Sequence, residues 1–136
     1  RFFEFYIMSN VFIFTNGGTK SQRQLTEDIT AWFINAKLPR FKNFTIEIDL
    51  EKLNDDFQGF CTEIDDRVFH VQIEKRLRDD DFLTCLFHEL THVEQHLRNK
   101  FGIKDEVDHL DYFDRPYEID AYAKQEQLLE EYRLCS

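Results

Sequence analysis

Asp79-Asp80-Asp81-Phe82-Leu83-Thr84-Cys85-Leu86-Phe87-His88-Glu89-Leu90-Thr91-His92-Val93-Glu94-Gln95-His96-Leu97-Arg98 decides the fold of this chain. Phe82, Leu86, Leu90, Val93 and Leu97 recur every three to four residues, the stripe of a helix with one buried face. The acid run ahead of it supplies an N-cap and negative charge at the positive end of the helix dipole. Within the helix, His88-Glu89-Leu90-Thr91-His92 places two imidazoles one turn apart on one face, where both can bind a single ion. Glu89 projects about 100° away from His88, better placed to reach a water than to coordinate.

On both sides of this helix the pattern is α+β. Apolar residues at helical spacing (Leu25, Ile29, Trp32, Phe33) predict a helix over Ser21 to Ala36, closed by Pro39. Phe44 to Leu50, Phe60 to Ile64 and Val68 to Lys75 alternate apolar and polar residues, with acid pairs at the bends. A three-stranded, mainly antiparallel meander is the simplest arrangement. Val11 to Phe14 is a short β-prone run ending at Asn16-Gly17-Gly18, so residues 1–18 read as an N-terminal extension or strand. After Gly102 a polar stretch runs from Lys104 to Asp114, long enough to be a functional loop. Arg115-Pro116 opens the last helix, with Ile119, Tyr122, Ala123, Leu128 and Leu129 as its apolar positions.

The chain has 136 residues, enough for one domain and one core. Its net charge of -10, from 27 acidic and 17 basic residues, argues against a nucleic-acid partner, which needs a basic stripe. Cys61, Cys85 and Cys135 are odd in number and far apart, which suggests neither a disulfide framework nor a cysteine metal site and fits a reducing, intracellular setting. The Phe-rich start is interrupted by Glu4, Ser9 and Asn10, unlike a signal peptide or a membrane span.

Two histidines alone hold zinc poorly, so a third ligand is needed. His96, His109, Glu118 and several aspartates are the candidates. His96 lies two turns beyond His88, about 12 Å along the axis, too far to share one ion. The pattern H-E-x-x-H-x-x-G-x-x-H is not met, because Gln95 stands at its glycine and Arg98 at its third histidine. Glu118 is the better choice. It lies early on a separate helix, and Ala121, one turn on, is small enough to let that helix approach. Two histidines and one glutamate, with water in the fourth position, is a known catalytic zinc set.

His88-Glu89-Leu90-Thr91-His92 followed by Arg115-Pro116-Tyr117-Glu118-Ile119-Asp120-Ala121-Tyr122 resembles the small gluzincin-type metallopeptidases, including short peptidases encoded by bacteriophages. The resemblance runs from the first helix to the last. It departs where larger members carry an Asn before the ligand glutamate and an Asp four after it, here Tyr117 and Tyr122. It implies a single minimal zincin-like domain with one Zn2+ per chain, and hydrolysis of a peptide or protein substrate with Glu89 as general acid and base. Tyr112, Tyr117, Tyr122, His109 and Arg115 lie near the expected site as oxyanion donors, and Tyr112 or His109 is preferred because a loop can carry a side chain over a cleft. The resemblance also makes the strand Val68 to Lys75 the cleft rim, with His70 on it, and places the acidic loop Asp105 to Asp114 at its border. The rival expectation is an inactive zincin-fold interaction protein, such as a component of a viral or phage assembly.

Overall fold

The computed structural model describes residues 3–8, 10–104 and 111–135, with side chains from residue 10 onward. Its elements are β1 (Phe3–Met8), β2 (Val11–Gly17), α1 (Lys20–Lys37), β3 (Phe44–Glu51), β4 (Gly59–Asp65), β5 (Val68–Glu74), α2 (Asp79–Arg98), a 3-10 turn (Tyr112–Asp114) and α3 (Pro116–Cys135).

The sheet corrects the expected three-stranded antiparallel meander. Four strands run in the order β2-β3-β5-β4, with β1 added outside β2. β2, β3 and β5 are parallel, whereas β1 pairs antiparallel with β2 and β4 with β5. The N-terminal run is thus part of the sheet. The direction was hidden because alternation looks the same in parallel and antiparallel pairs. β4 and β5 form a hairpin, but β5 takes the inner place beside β3, where Phe69, Val71 and Ile73 are fully buried. β4 is left at the end. β4 rather than β5 is therefore the edge strand at this end of the sheet.

One face of the sheet, built from Val11, Ile13, Ile46, Ile48, Phe69 and Val71, carries α1 and α2. α1 begins with a capping box, in which Thr19 accepts from the Gln22 backbone and Gln22 reaches back to the Thr19 backbone. Its Ile29, Phe33 and Ile34 enter the core. α2 adds Phe82, Leu86, Phe87, Leu90 and Val93. The expected acidic N-cap is not formed: Arg78 holds the cap position without a side-chain bond, and the three aspartates occupy the first turn instead. There the helix dipole still favours them. Asn99, at φ 51°, ends α2 in the left-handed conformation.

α3 packs on α2 rather than on the sheet. Its buried side is Glu118, Ala121, Leu128 and Leu129, while Ile119 and Tyr122, expected to be packed, are 57% and 42% exposed. The helix turns the Glu118 carboxylate inward, toward His88 and His92.

Candidate metal centre

His88 and His92 project from the middle of α2, and the first turn of α3 brings Glu118 to them. Ala121, with no exposed surface, lets the two helices approach. Glu118 Oε1 lies 2.9 Å from Nε2 of each histidine, and the two Nε2 atoms are 3.2 Å apart. Donors bound to one tetrahedral zinc stand about 3.3 Å from each other, from bond lengths of about 2.0–2.1 Å. All three residues are buried, and among the described residues they form a cluster that can hold a metal ion.

Their hydrogen bonds suit such an ion. Gln95 Nε2 donates to the Tyr117 carbonyl at 2.8 Å and to Asp120 Oδ2 at 2.9 Å, so its Oε1 must be the atom 2.7 Å from His92 Nδ1. His92 therefore carries a proton on Nδ1, and its Nε2 is the atom that faces Glu118. His88 Nδ1 is likewise 3.0 Å from Gln125 Oε1. Two imidazole nitrogens and a carboxylate oxygen converge, an arrangement that a proton or a metal cation can bridge. With a proton in that role, burial pushes the His92 pKa down, but the Glu118 hydrogen bond and the charges of Glu89 and Glu118 prevail and raise it. Burial would raise the Glu118 carboxyl, yet its bonds to both histidines hold it at about 2.

Glu89 is also buried, on the wall of the same cleft. Its pKa is pushed up to about 7, chiefly by burial, against the pull of His92 and His88. Gly59, where β4 begins, makes room for it: a β-carbon there would stand 3.0 Å from Glu89 Oε2, Cys85 Sγ and the Gln72 carbonyl. The cleft has two lobes of about 470 and 540 Å³, which share Phe57, Gly59, Glu89 and Tyr112. β4 lines the first lobe, and the side of β4 away from β5 carries backbone groups that no described strand pairs.

Tyr112 reaches the site from the 3-10 turn. Its pKa is raised by burial, by the Glu118 charge and by a hydrogen bond to Glu118, and it also hydrogen-bonds Tyr122. Tyr122 packs against the His88 ring with centroids 4.4 Å apart, and Tyr117 meets the His92 ring edge-on at 5.9 Å. His109 lies outside the described residues, as does most of the acidic loop, residues 105–110. His96 does not join the cluster; its Nδ1 faces Glu63 at 3.6 Å. His70 is not at the cleft either, since its Nε2 lies 2.7 Å from Asp49 Oδ2 on the other sheet face. Cys61, Cys85 and Cys135 are free thiols, and the first two line the cleft.

Sequence reasoning missed Gln95, Gln125 and Gly59. The glycine left one signal, a side-chain-free position at the head of an alternating strand. The glutamines left none, because a helical glutamine is usually solvated. No described helix is long and apolar enough to cross a membrane. No family model, curated protein or solved structure matches the chain.

Proposed function

We propose that this chain is a zinc-dependent metallopeptidase, with His88, His92 and Glu118 as ligands and Glu89 as general base. The observation that carries this is the convergence of two imidazole nitrogens and a carboxylate oxygen beside the buried Glu89 carboxylate, in a cleft bordered by a strand edge that no described strand pairs. Bound there, zinc would act as a Lewis acid on the scissile carbonyl and lower the pKa of water. Glu89 takes the proton of the attacking water and returns it to the leaving amine, a task suited by a pKa of about 7. Tyr112 offers its hydroxyl to the oxyanion. The free side of β4 holds an extended peptide through main-chain hydrogen bonds.

Elemental analysis after zinc reconstitution, followed by peptide cleavage with wild type and Glu89→Gln, tests this. One zinc per chain in both proteins, with cleavage by wild type alone, is the expected result. A chain that takes up no zinc, or a Glu89→Gln variant that cleaves at the wild-type rate, overturns it.

A further inference from the structure

Each histidine of the cluster is held from behind by a neutral carboxamide, and the two carboxamides differ in surroundings. Gln95 is fully buried and saturated: His92 Nδ1 donates to its oxygen at 2.7 Å, while its nitrogen donates to the Tyr117 carbonyl and to Asp120. Tyr117 and Asp120 flank Glu118 in sequence. One side chain therefore fixes the tautomer of a residue on α2 and also ties down the turn of α3 that carries the carboxylate. Asp120 is steadied in turn by Lys124 at 3.2 Å. Gln125 is half-buried, lines the second lobe of the cleft and accepts from His88 Nδ1 at 3.0 Å.

We infer that Gln95 and Gln125 are positioning residues for the metal site, with opposite tolerance of negative charge. The inference rests on the proposed metal centre but not on peptide hydrolysis. A glutamate at position 125 still accepts the hydrogen bond from His88 Nδ1, and its charge makes the imidazole a stronger donor to metal, while partial exposure keeps the carboxylate solvated. A glutamate at position 95 has no such outlet. Its second oxygen would replace an amide donor and face the Tyr117 carbonyl and Asp120 Oδ2, so that three acceptors meet where two donor hydrogens had been. Repulsion there pushes away the turn that carries Glu118.

Zn2+ affinity, measured by competition with a chromophoric chelator, tests this without any substrate. Relative to wild type, Gln125→Glu is expected to bind zinc several-fold more tightly and Gln125→Leu more weakly. Gln95→Glu is expected to lose about 10–100-fold, the range for groups that orient metal ligands. Adding Asp120→Asn to Gln95→Glu supplies an amide donor and recovers part of that loss, which separates a local repulsion from general misfolding. In the zinc-loaded wild type, long-range proton–nitrogen correlations should place the proton of both histidines on Nδ1. The inference falls if Gln125→Glu and Gln125→Leu weaken binding alike, if Gln95→Glu binds like wild type, or if either histidine is protonated on Nε2. A wild type that binds no zinc at all overturns the metal centre together with this inference.

Discussion

Gly59 faces Glu89 so closely that a β-carbon on it would stand 3.0 Å from the Glu89 carboxylate. The same carbon would stand 3.0 Å from the Gln72 carbonyl, which belongs to the β-ladder and cannot retreat, so the carboxylate has to move. Gly59→Ala should therefore retain zinc and lower kcat by less than the about 100-fold typical of an ångström-sized misplacement of a reacting group, because a smaller shift relieves the contact. Zinc stoichiometry and steady-state kinetics check this, and an unchanged kcat would show that Glu89 does not depend on that space.

The extent to which this site was legible in the sequence follows from geometry. His88 and His92 were readable because residues four apart on a helix must share a face. Glu118 was readable because a first-turn carboxylate beside a small Ala121 can approach a second helix. The sheet was only half readable: alternation marks Phe44–Glu51 and Val68–Glu74 as strands but carries no sign for direction, so the parallel pairing of β3 with β5 stayed hidden. That pairing decides which strand borders the cleft. α3 misled because its inward face is led by a carboxylate, so ranking its positions by apolarity chose Ile119 and Tyr122, which are exposed. Gln95 shows the same limit. Its importance comes from three partners, two of them on another helix, and none of them is implied by its own neighbours in sequence.

The loop between β3 and β4 is pinned by Glu74, which accepts from the backbone N–H groups of Leu53 and Arg76 and from the Arg76 guanidinium at 2.7 Å. These bonds hold the Glu74 pKa at about 2, below its ordinary value of 4.5. A depressed carboxylate pKa contributes stability that is fully present above the unfolded value and is lost as pH falls toward the folded one. Denaturant melts should therefore show this contribution disappearing between pH 4.5 and about 2 in wild type. Glu74→Gln should cost about 1–2 kcal/mol at pH 7, reduced by the solvent around Arg76, and should flatten that part of the profile. Equal acid sensitivity in both proteins would refute the assignment.

Burial pushes the thiols of Cys61 and Cys85 well above their ordinary range, and the nearby Glu89 charge adds to the effect. Both stay protonated at neutral pH and are poor nucleophiles although they line the cleft. Cys135 is exposed near the end of α3. Iodoacetamide at pH 7 should therefore modify Cys135 first, with Cys61 and Cys85 reacting at a comparable rate only after denaturation. Peptide mapping by mass spectrometry reads the order directly, and rapid labelling of Cys85 in the folded protein would contradict its burial.

Tyr112 is the side chain shared by both lobes of the cleft whose hydroxyl also bonds to Glu118, so its removal separates two roles. If the hydroxyl only steadies Glu118, Tyr112→Phe weakens zinc binding and leaves turnover per bound zinc unchanged. If it donates to the oxyanion, zinc binding and KM stay near wild type while kcat falls by roughly 100- to 1000-fold, the loss typical of one oxyanion donor. The second outcome is expected, because Glu118 retains both histidines at 2.9 Å without the tyrosine. Tyr122→Phe supplies the control: its ring still packs on His88, and its hydroxyl hydrogen-bonds Tyr112, so a loss of under about tenfold is expected for a hydrogen bond one step removed from Glu118. Equal losses in the two variants would mean that the tyrosines act as a pair, with neither hydroxyl alone serving the oxyanion.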